Sequence, residues 1–123
     1  MKRNALLRLA VAALAVMAFQ RVNASSAVAM DGYGHITRAY GPFGSEETAR
    51  QRALELAVHH GWPGARIIAS SGKFGNCSIA LGRNAVVGVS LGKRSQAEAD
   101  RRAIAECLKG GGTDPKVYAR FRG

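Results

Sequence analysis

The residues best suited to acid–base or metal chemistry are the three histidines, His35, His59 and His60. Adjacent residues on a helix point about 100° apart, so His59 and His60 cannot hold one metal ion as histidines four positions apart can. His35 has no adjacent cysteine or carboxylate, which favours a packing role. Residues 88–92 have the Gly-x-Ser-x-Gly order, centred on Ser90, but this order alone does not define a hydrolase nucleophile, which also needs a sharp strand-to-helix turn. We expect no catalytic residue, metal or cofactor, although histidines and carboxylates distant in sequence could still assemble an enzyme site.

A glycine-rich stretch, residues 72–76, contains Lys73 and has the composition of a phosphate-binding loop. It lacks the Gly-x-x-x-x-Gly-Lys-Ser/Thr order, and a strand rather than a helix is expected to follow it. The stretch is therefore interpreted as a hairpin turn.

The excess of basic residues indicates attraction to anions. The formal net charge is +10, and residues 25–123 hold 14 basic and 8 acidic residues. Such an excess draws a small domain to anionic surfaces, in a manner that weakens with salt. One hypothesis is that basic residues of two matching helices and their flanks form a single outer anion-binding patch: Arg50, Arg52, Lys93, Arg94, Arg101 and Arg102. The alternative is a solvated face with local partners, such as Glu98 for Arg102. No aromatic run is present to stack on bases, which argues against nucleic acid.

Residues 1–24 have the order of a secretory signal peptide. Three basic residues precede an apolar run at 9–19, which is short against the roughly 20 residues of a spanning helix. Small residues allow cleavage between Ala24 and Ser25, or after Ala29. We expect a secreted or periplasmic protein with no membrane span after cleavage.

Cys77 and Cys107 are the only cysteines. Export to an oxidising compartment favours a disulfide between them. A disulfide that closes this loop of about 31 residues would stabilise the fold by roughly 3–4 kcal/mol. The alternative is two buried, unpaired thiols.

The sequence contains an internal repeat, because residues 45–61 are echoed at 95–111. Ser45 and Ser95 are candidate N-caps, and each is followed by an alanine-rich apolar stripe. We expect a flexible segment at 25–32 and one α+β domain at 33–123. Its predicted order is β-α-β-β-β-α-β, with two helices packed on one face of a mainly antiparallel sheet.

Several short motifs resemble the secreted domain-of-unknown-function 4189 family. They are the Tyr-Gly-His-Ile at 33–36, the two alanine-rich helices and the Phe-Gly-Asn-Cys-Ser-Ile-Ala at 74–80. The resemblance covers about residues 33–121 and implies export and the repeated fold. Family members commonly carry further cysteines, whereas this chain has Ala57 and Ala65 at two such positions. The resemblance therefore implies that Cys77 and Cys107 have lost their usual partners, and it supplies no catalytic residues.

Together these features favour an exported, monomeric binding domain that acts at the cell envelope or outside the cell. Its expected partner is an envelope or extracellular protein, or an anionic polymer. A small secreted enzyme with a non-standard site and a structural envelope protein are the alternatives.

Overall fold

The computed structural model describes residues 24–123, so the signal-peptide prediction lies almost wholly outside the described residues. Within these residues, eight elements follow one another: β1 (Ser25–Met30), β2 (Ile36–Gly41), α1 (Glu46–His59), β3 (Arg66–Ser71), β4 (Asn76–Leu81), β5 (Val87–Lys93), α2 (Gln96–Lys109) and β6 (Lys116–Arg122). Neither helix of this part of the chain is long and apolar enough to cross a membrane.

The strands form two three-stranded antiparallel sheets, sheet A with the order β2-β1-β3 and sheet B with the order β5-β4-β6. Val28 of β1 lies in one buried cluster with Ile79 of β4, so the two sheets pack face to face. Ala27 and Ala29 point to the other face of sheet A and pack under α1. Ala80, next to Ile79, packs under α2. The molecule therefore has four layers: α1, sheet A, sheet B and α2.

The two halves share the order ββαβ and the same strand register. In sheet A, Val28 of the central strand pairs with Arg38 on one side and Ala69 on the other. In sheet B, Ile79 pairs in the same way with Val89 and Ala119, so these three residues are equivalent to the first three. The last strand of each half bulges at an equivalent residue, Ile68 in β3 and Tyr118 in β6. The halves are thus approximate twofold mates. The side chains of β2 and β6 meet at Tyr40 and Phe121, and β3 lies beside β5 at the equivalent edge.

Both helices begin at the predicted N-caps. The side chains of Ser45 and Ser95 each accept a hydrogen bond at 3.1 Å, from the backbone N–H of Thr48 and Glu98 respectively. Each helix buries three small residues: Ala49, Ala53 and Ala57 in α1, and Ala99, Ala103 and Cys107 in α2. The small side chains let the helices approach the sheets closely. At Gly88 of β5 the approach is so close that a Cβ atom would collide with the carbonyl oxygen of Ala103.

The α+β class, the two helices and the antiparallel pairing are confirmed. Each helix does pack on one face of an antiparallel sheet, but there are two sheets, and the helices lie on opposite sides of the molecule. The chain turns from sheet A to sheet B at residues 72–75, where the sequence predicted a hairpin. Of the predicted meander, only the β4–β5 pair is formed.

The prediction of a flexible segment at residues 25–32 is wrong. Residues 25–30 form β1, the central strand of sheet A, and five of its six residues are buried. β1 is covered by α1 on one face and by sheet B on the other. A strand buried on both faces shows no alternation of polar and apolar residues, so its sequence gives no strand pattern.

Candidate functional site

A groove of about 480 Å³ lies where β3, β5 and α2 meet. Ser70 and Ser71 line it from β3, and residues 89–93 line it from β5. Arg102 of α2 lies along its outer side. Its volume is within the range of ligand-binding clefts.

The charge of the groove is mainly positive. Lys73, Lys93 and Arg102 line it, and none of them forms an ion pair within residues 24–123. Glu106 is the one carboxylate among the lining residues that the structure describes. Nearby, Glu46 of α1 accepts a hydrogen bond from the Ser70 hydroxyl at 2.7 Å. Three cations without ion-pair partners, beside the Ser71 hydroxyl, can bind an anion.

The approximate twofold symmetry shows why this groove is open. At the equivalent edge, between β2 and β6, the rings of Tyr40 and Phe121 pack with their centroids 4.9 Å apart. The guanidinium of Arg38 lies 5.3 Å from the centre of the Phe121 ring. The strand registers make Leu91 equivalent to Tyr40, and Ser71 equivalent to Phe121. An aromatic pair fills one edge, whereas Ser71 stands at the position equivalent to Phe121 at the edge that carries the groove.

The predicted anion-binding residues do not form one patch. Arg50 and Arg52 lie on α1, on the opposite side of the molecule from α2, and they pair with Glu47 at 2.6 Å and Glu55 at 3.3 Å. Arg94 and Arg101 are exposed near α2 but do not line the groove. Lys93 and Arg102 do line it, together with a cation that the sequence analysis had placed in a turn, Lys73.

A polar network fixes α2 to sheet B beside the groove. Asp100 accepts hydrogen bonds from the Ser78 hydroxyl, from Gln96 and from Arg120. Burial by itself raises the pKa of Asp100, but these hydrogen bonds outweigh it and hold that pKa below its ordinary value. Ser90, the strand partner of Ser78, has a buried hydroxyl with no hydrogen-bond partner within residues 24–123.

A second polar site lies at the turn between β1 and β2. The buried carboxylate of Asp31 accepts the backbone N–H groups of Tyr33 at 2.9 Å and His35 at 2.8 Å. Its other oxygen lies 2.7 Å from His35 Nδ1. An ionised carboxylate only accepts hydrogen bonds, so Nδ1 carries a proton, and whenever the ring is neutral Nε2 holds the free lone pair. Burial raises the pKa of Asp31, but the His35 ring and the two backbone donors outweigh it and lower that pKa.

The one tryptophan of the chain, Trp62, lies beside two of its three histidines. The His35 ring is parallel to the Trp62 ring at 4.5 Å between centroids, and His60 stacks on Trp62 at 4.9 Å. His59 meets His60 edge-on at 5.9 Å. Residues 24–123 contain no group of three or more His, Cys, Asp or Glu side chains that could hold a metal ion.

The Asp31–His35 pair was not recognised from the sequence, because Asp31 lies within the segment interpreted as flexible. The Asp-Gly dipeptide at 31–32 is a turn pattern that places a carboxylate close to residues after the turn. That turn pattern, together with a histidine four positions after Asp31, is the feature of the sequence that indicates a carboxylate–histidine contact.

The two cysteines are free and buried. Cys77 lies in the cluster between the sheets, whereas Cys107 of α2 packs on the outer face of sheet B. Because sheet B separates the two side chains, the structure contradicts the predicted disulfide and agrees with two buried thiols. Burial raises the pKa of the Cys77 thiol, and a buried thiol of this kind is chemically inert.

Comparison with known proteins gives no match among family models, curated proteins or solved structures. The resemblance to the domain-of-unknown-function 4189 family therefore stays a prediction.

Proposed function

We propose that the protein is an exported binding domain that takes an anionic ligand in the groove between β3, β5 and α2. The observation that carries the proposal is the set of three cations without ion-pair partners, Lys73, Lys93 and Arg102, around one open groove. Charges held at a concave surface attract a ligand more strongly than the same charges spread over a convex one. The ligand is an acidic region of an envelope or extracellular protein, or an anionic polymer.

The position of β1 supports one of the two cleavage sites. Cleavage after Ala24 would leave β1 whole, since the strand begins at Ser25. Cleavage after Ala29 would remove all of the strand except Met30. We therefore favour a mature protein that begins at Ser25 and is secreted or periplasmic.

The test compares two variants with the same net charge. The groove variant carries Lys73→Gln, Lys93→Gln and Arg102→Gln. The control carries Arg50→Gln, Arg52→Gln and Arg101→Gln, which removes three exposed or half-exposed cations elsewhere. Arg52 and Arg102 are equivalent positions of the repeat, so the two variants form a matched pair. Binding of fluorescent dextran sulfate and polyglutamate is measured by anisotropy at low salt and at about 0.5 M salt, where the Debye length is about 4 Å.

We expect the groove variant to bind about tenfold or more weakly, because three contacts worth roughly 0.5–1 kcal/mol each are lost. The control should stay within about threefold of the unmodified protein. Equal losses in both variants would mean that net charge alone attracts the probes, and the proposed groove would then be wrong.

The Asp31–His35 pair favours a second candidate function, a small enzyme in which His35 Nε2 accepts a proton. Hydrolases use a carboxylate that fixes the tautomer of a histidine and a nucleophile that this histidine deprotonates, and the Asp31–His35 pair supplies the carboxylate and the histidine. The His35 side chain is 45% exposed and so is accessible to a substrate. Within residues 24–123, no serine or cysteine side chain is hydrogen-bonded to the ring. An activity that is lost in His35→Ala and kept in the groove variant would identify this candidate.

A further inference from the structure

The strand that contributes more residues to the groove wall than any other element, β5, has a free edge. β5 pairs only with β4, and β3 pairs only with β1, so each presents backbone groups without a strand partner toward the groove. Five consecutive residues of β5, from Val89 to Lys93, line the groove. A free edge of this kind can accept an extended peptide as an additional strand.

The groove also has an apolar part that the fold leaves unfilled. Ala69, Val89 and Leu91 line it, and the equivalent space at the β2–β6 edge is occupied by Phe121 packed on Tyr40. Ser71 takes the place of Phe121 here. An aromatic side chain of a ligand could therefore occupy the position that Phe121 occupies at the other edge.

Resting on the function proposed above, we infer that the anionic ligand is an acidic peptide in an extended conformation that adds to the free edge of β5. It inserts one aromatic side chain beside Leu91, and its carboxylates meet Lys73, Lys93 and Arg102. An anionic polysaccharide would satisfy the three cations alone. Only a peptide satisfies the cations, the strand edge and the apolar space together, which is why we choose it.

The experiment uses the mature chain and octapeptides in which glutamate alternates with threonine, with phenylalanine placed at each position in turn. Affinity is measured by calorimetry. The best peptide is then remade in two versions with N-methyl groups on alternate backbone nitrogens. Each version blocks the N–H groups along one of the two edges of the extended peptide. N-methylation removes hydrogen-bond donors and leaves the charges unchanged.

We expect one N-methylated version to bind at least about tenfold more weakly and the other to bind nearly as well as the parent, because a peptide added to β5 as the outermost strand pairs along only one of its own edges. Replacing phenylalanine by alanine should weaken binding by about tenfold. Ser71→Phe, which imitates the closed edge, should block the peptide without removing a cation, and circular dichroism checks that this variant is folded. Hydrogen exchange should show new protection of β5 amides when the peptide is bound.

Equal affinity of both N-methylated versions would overturn strand addition, independently of whether Ser71→Phe folds. Dextran sulfate bound through the three cations without any peptide binding would overturn this inference and leave the proposed function standing. If neither dextran sulfate nor any acidic peptide binds through those cations, both proposals fall.

Discussion

Asp31 holds the turn between β1 and β2 through two backbone donors and one imidazole. Its side chain is only 3% exposed, so a neighbouring loop or ligand cannot easily replace these partners. The turn also positions His35 against Trp62, which joins the start of sheet A to the end of α1. A single carboxylate thus stabilises a corner formed by three segments of the chain.

The first residue-scale prediction concerns Asp31→Asn. The folded-state pKa of Asp31 lies below its ordinary value of 3.8, so the ionised carboxylate stabilises the fold above that pH. This contribution is lost as the pH falls through the folded-state pKa. We expect the variant to have a lower free energy of unfolding at pH 7, and the difference should shrink below about pH 4. Urea unfolding at pH 7 and pH 3 measures it; a difference that is the same at both values would show that the charge is not the cause.

A second residue-scale prediction compares Ser78 with its strand partner Ser90. The Ser78 hydroxyl donates to Asp100 and accepts from Gln96, whereas the buried Ser90 hydroxyl has no partner in the described chain. Ser78→Ala should lower the free energy of unfolding by about 1–3 kcal/mol, since it leaves buried partners unsatisfied. Ser90→Ala should leave it unchanged or raise it by up to about 1 kcal/mol. Chemical unfolding at pH 7 distinguishes the two, and equal losses would mean that Ser90 has a partner in solution.

At the scale of elements, β1 is the strand on which sheet A depends. It pairs with both β2 and β3 and packs against both α1 and sheet B. Its side chains are small, which lets α1 approach closely through Ala49 and Ala53. The loss of β1 would leave β2 and β3 without a pairing partner.

We therefore predict that a chain of residues 25–123 folds and that a chain of residues 30–123 does not. Circular dichroism and urea unfolding should show a cooperative transition for the longer chain only. If the shorter chain unfolds with the same midpoint, β1 is dispensable and cleavage after Ala29 becomes acceptable.

The elements that sequence could predict are those specified by local patterns. Ser45 and Ser95 act as N-caps on neighbouring residues, and the alanine stripes follow the helical period. β1 could not be recognised, because a strand covered on both faces by close-packed layers is made of small residues without alternation. The division into two sheets depends on pairing between distant residues, which short connections such as residues 72–75 do not reveal.

At the scale of the whole molecule, the candidate site arises from the arrangement of the layers. Lys93 and Arg102 were predicted as anion-binding residues, but as part of a patch with Arg50 and Arg52 that the four-layer order separates. Lys73 joins them only because the chain crosses between sheets at that point. Sequence thus identified two of the three groove cations and could not place any of them in a groove.

The equivalence of Val28 and Ile79 at the interface between the sheets has a consequence for the origin of the protein. A chain of half this length, carrying one ββαβ unit, could reach the same four layers by forming a symmetric homodimer. In such an ancestor both edges would have to be identical. Gene duplication and fusion would free the two edges to diverge, so that aromatic rings could seal one of them while a serine kept the other open.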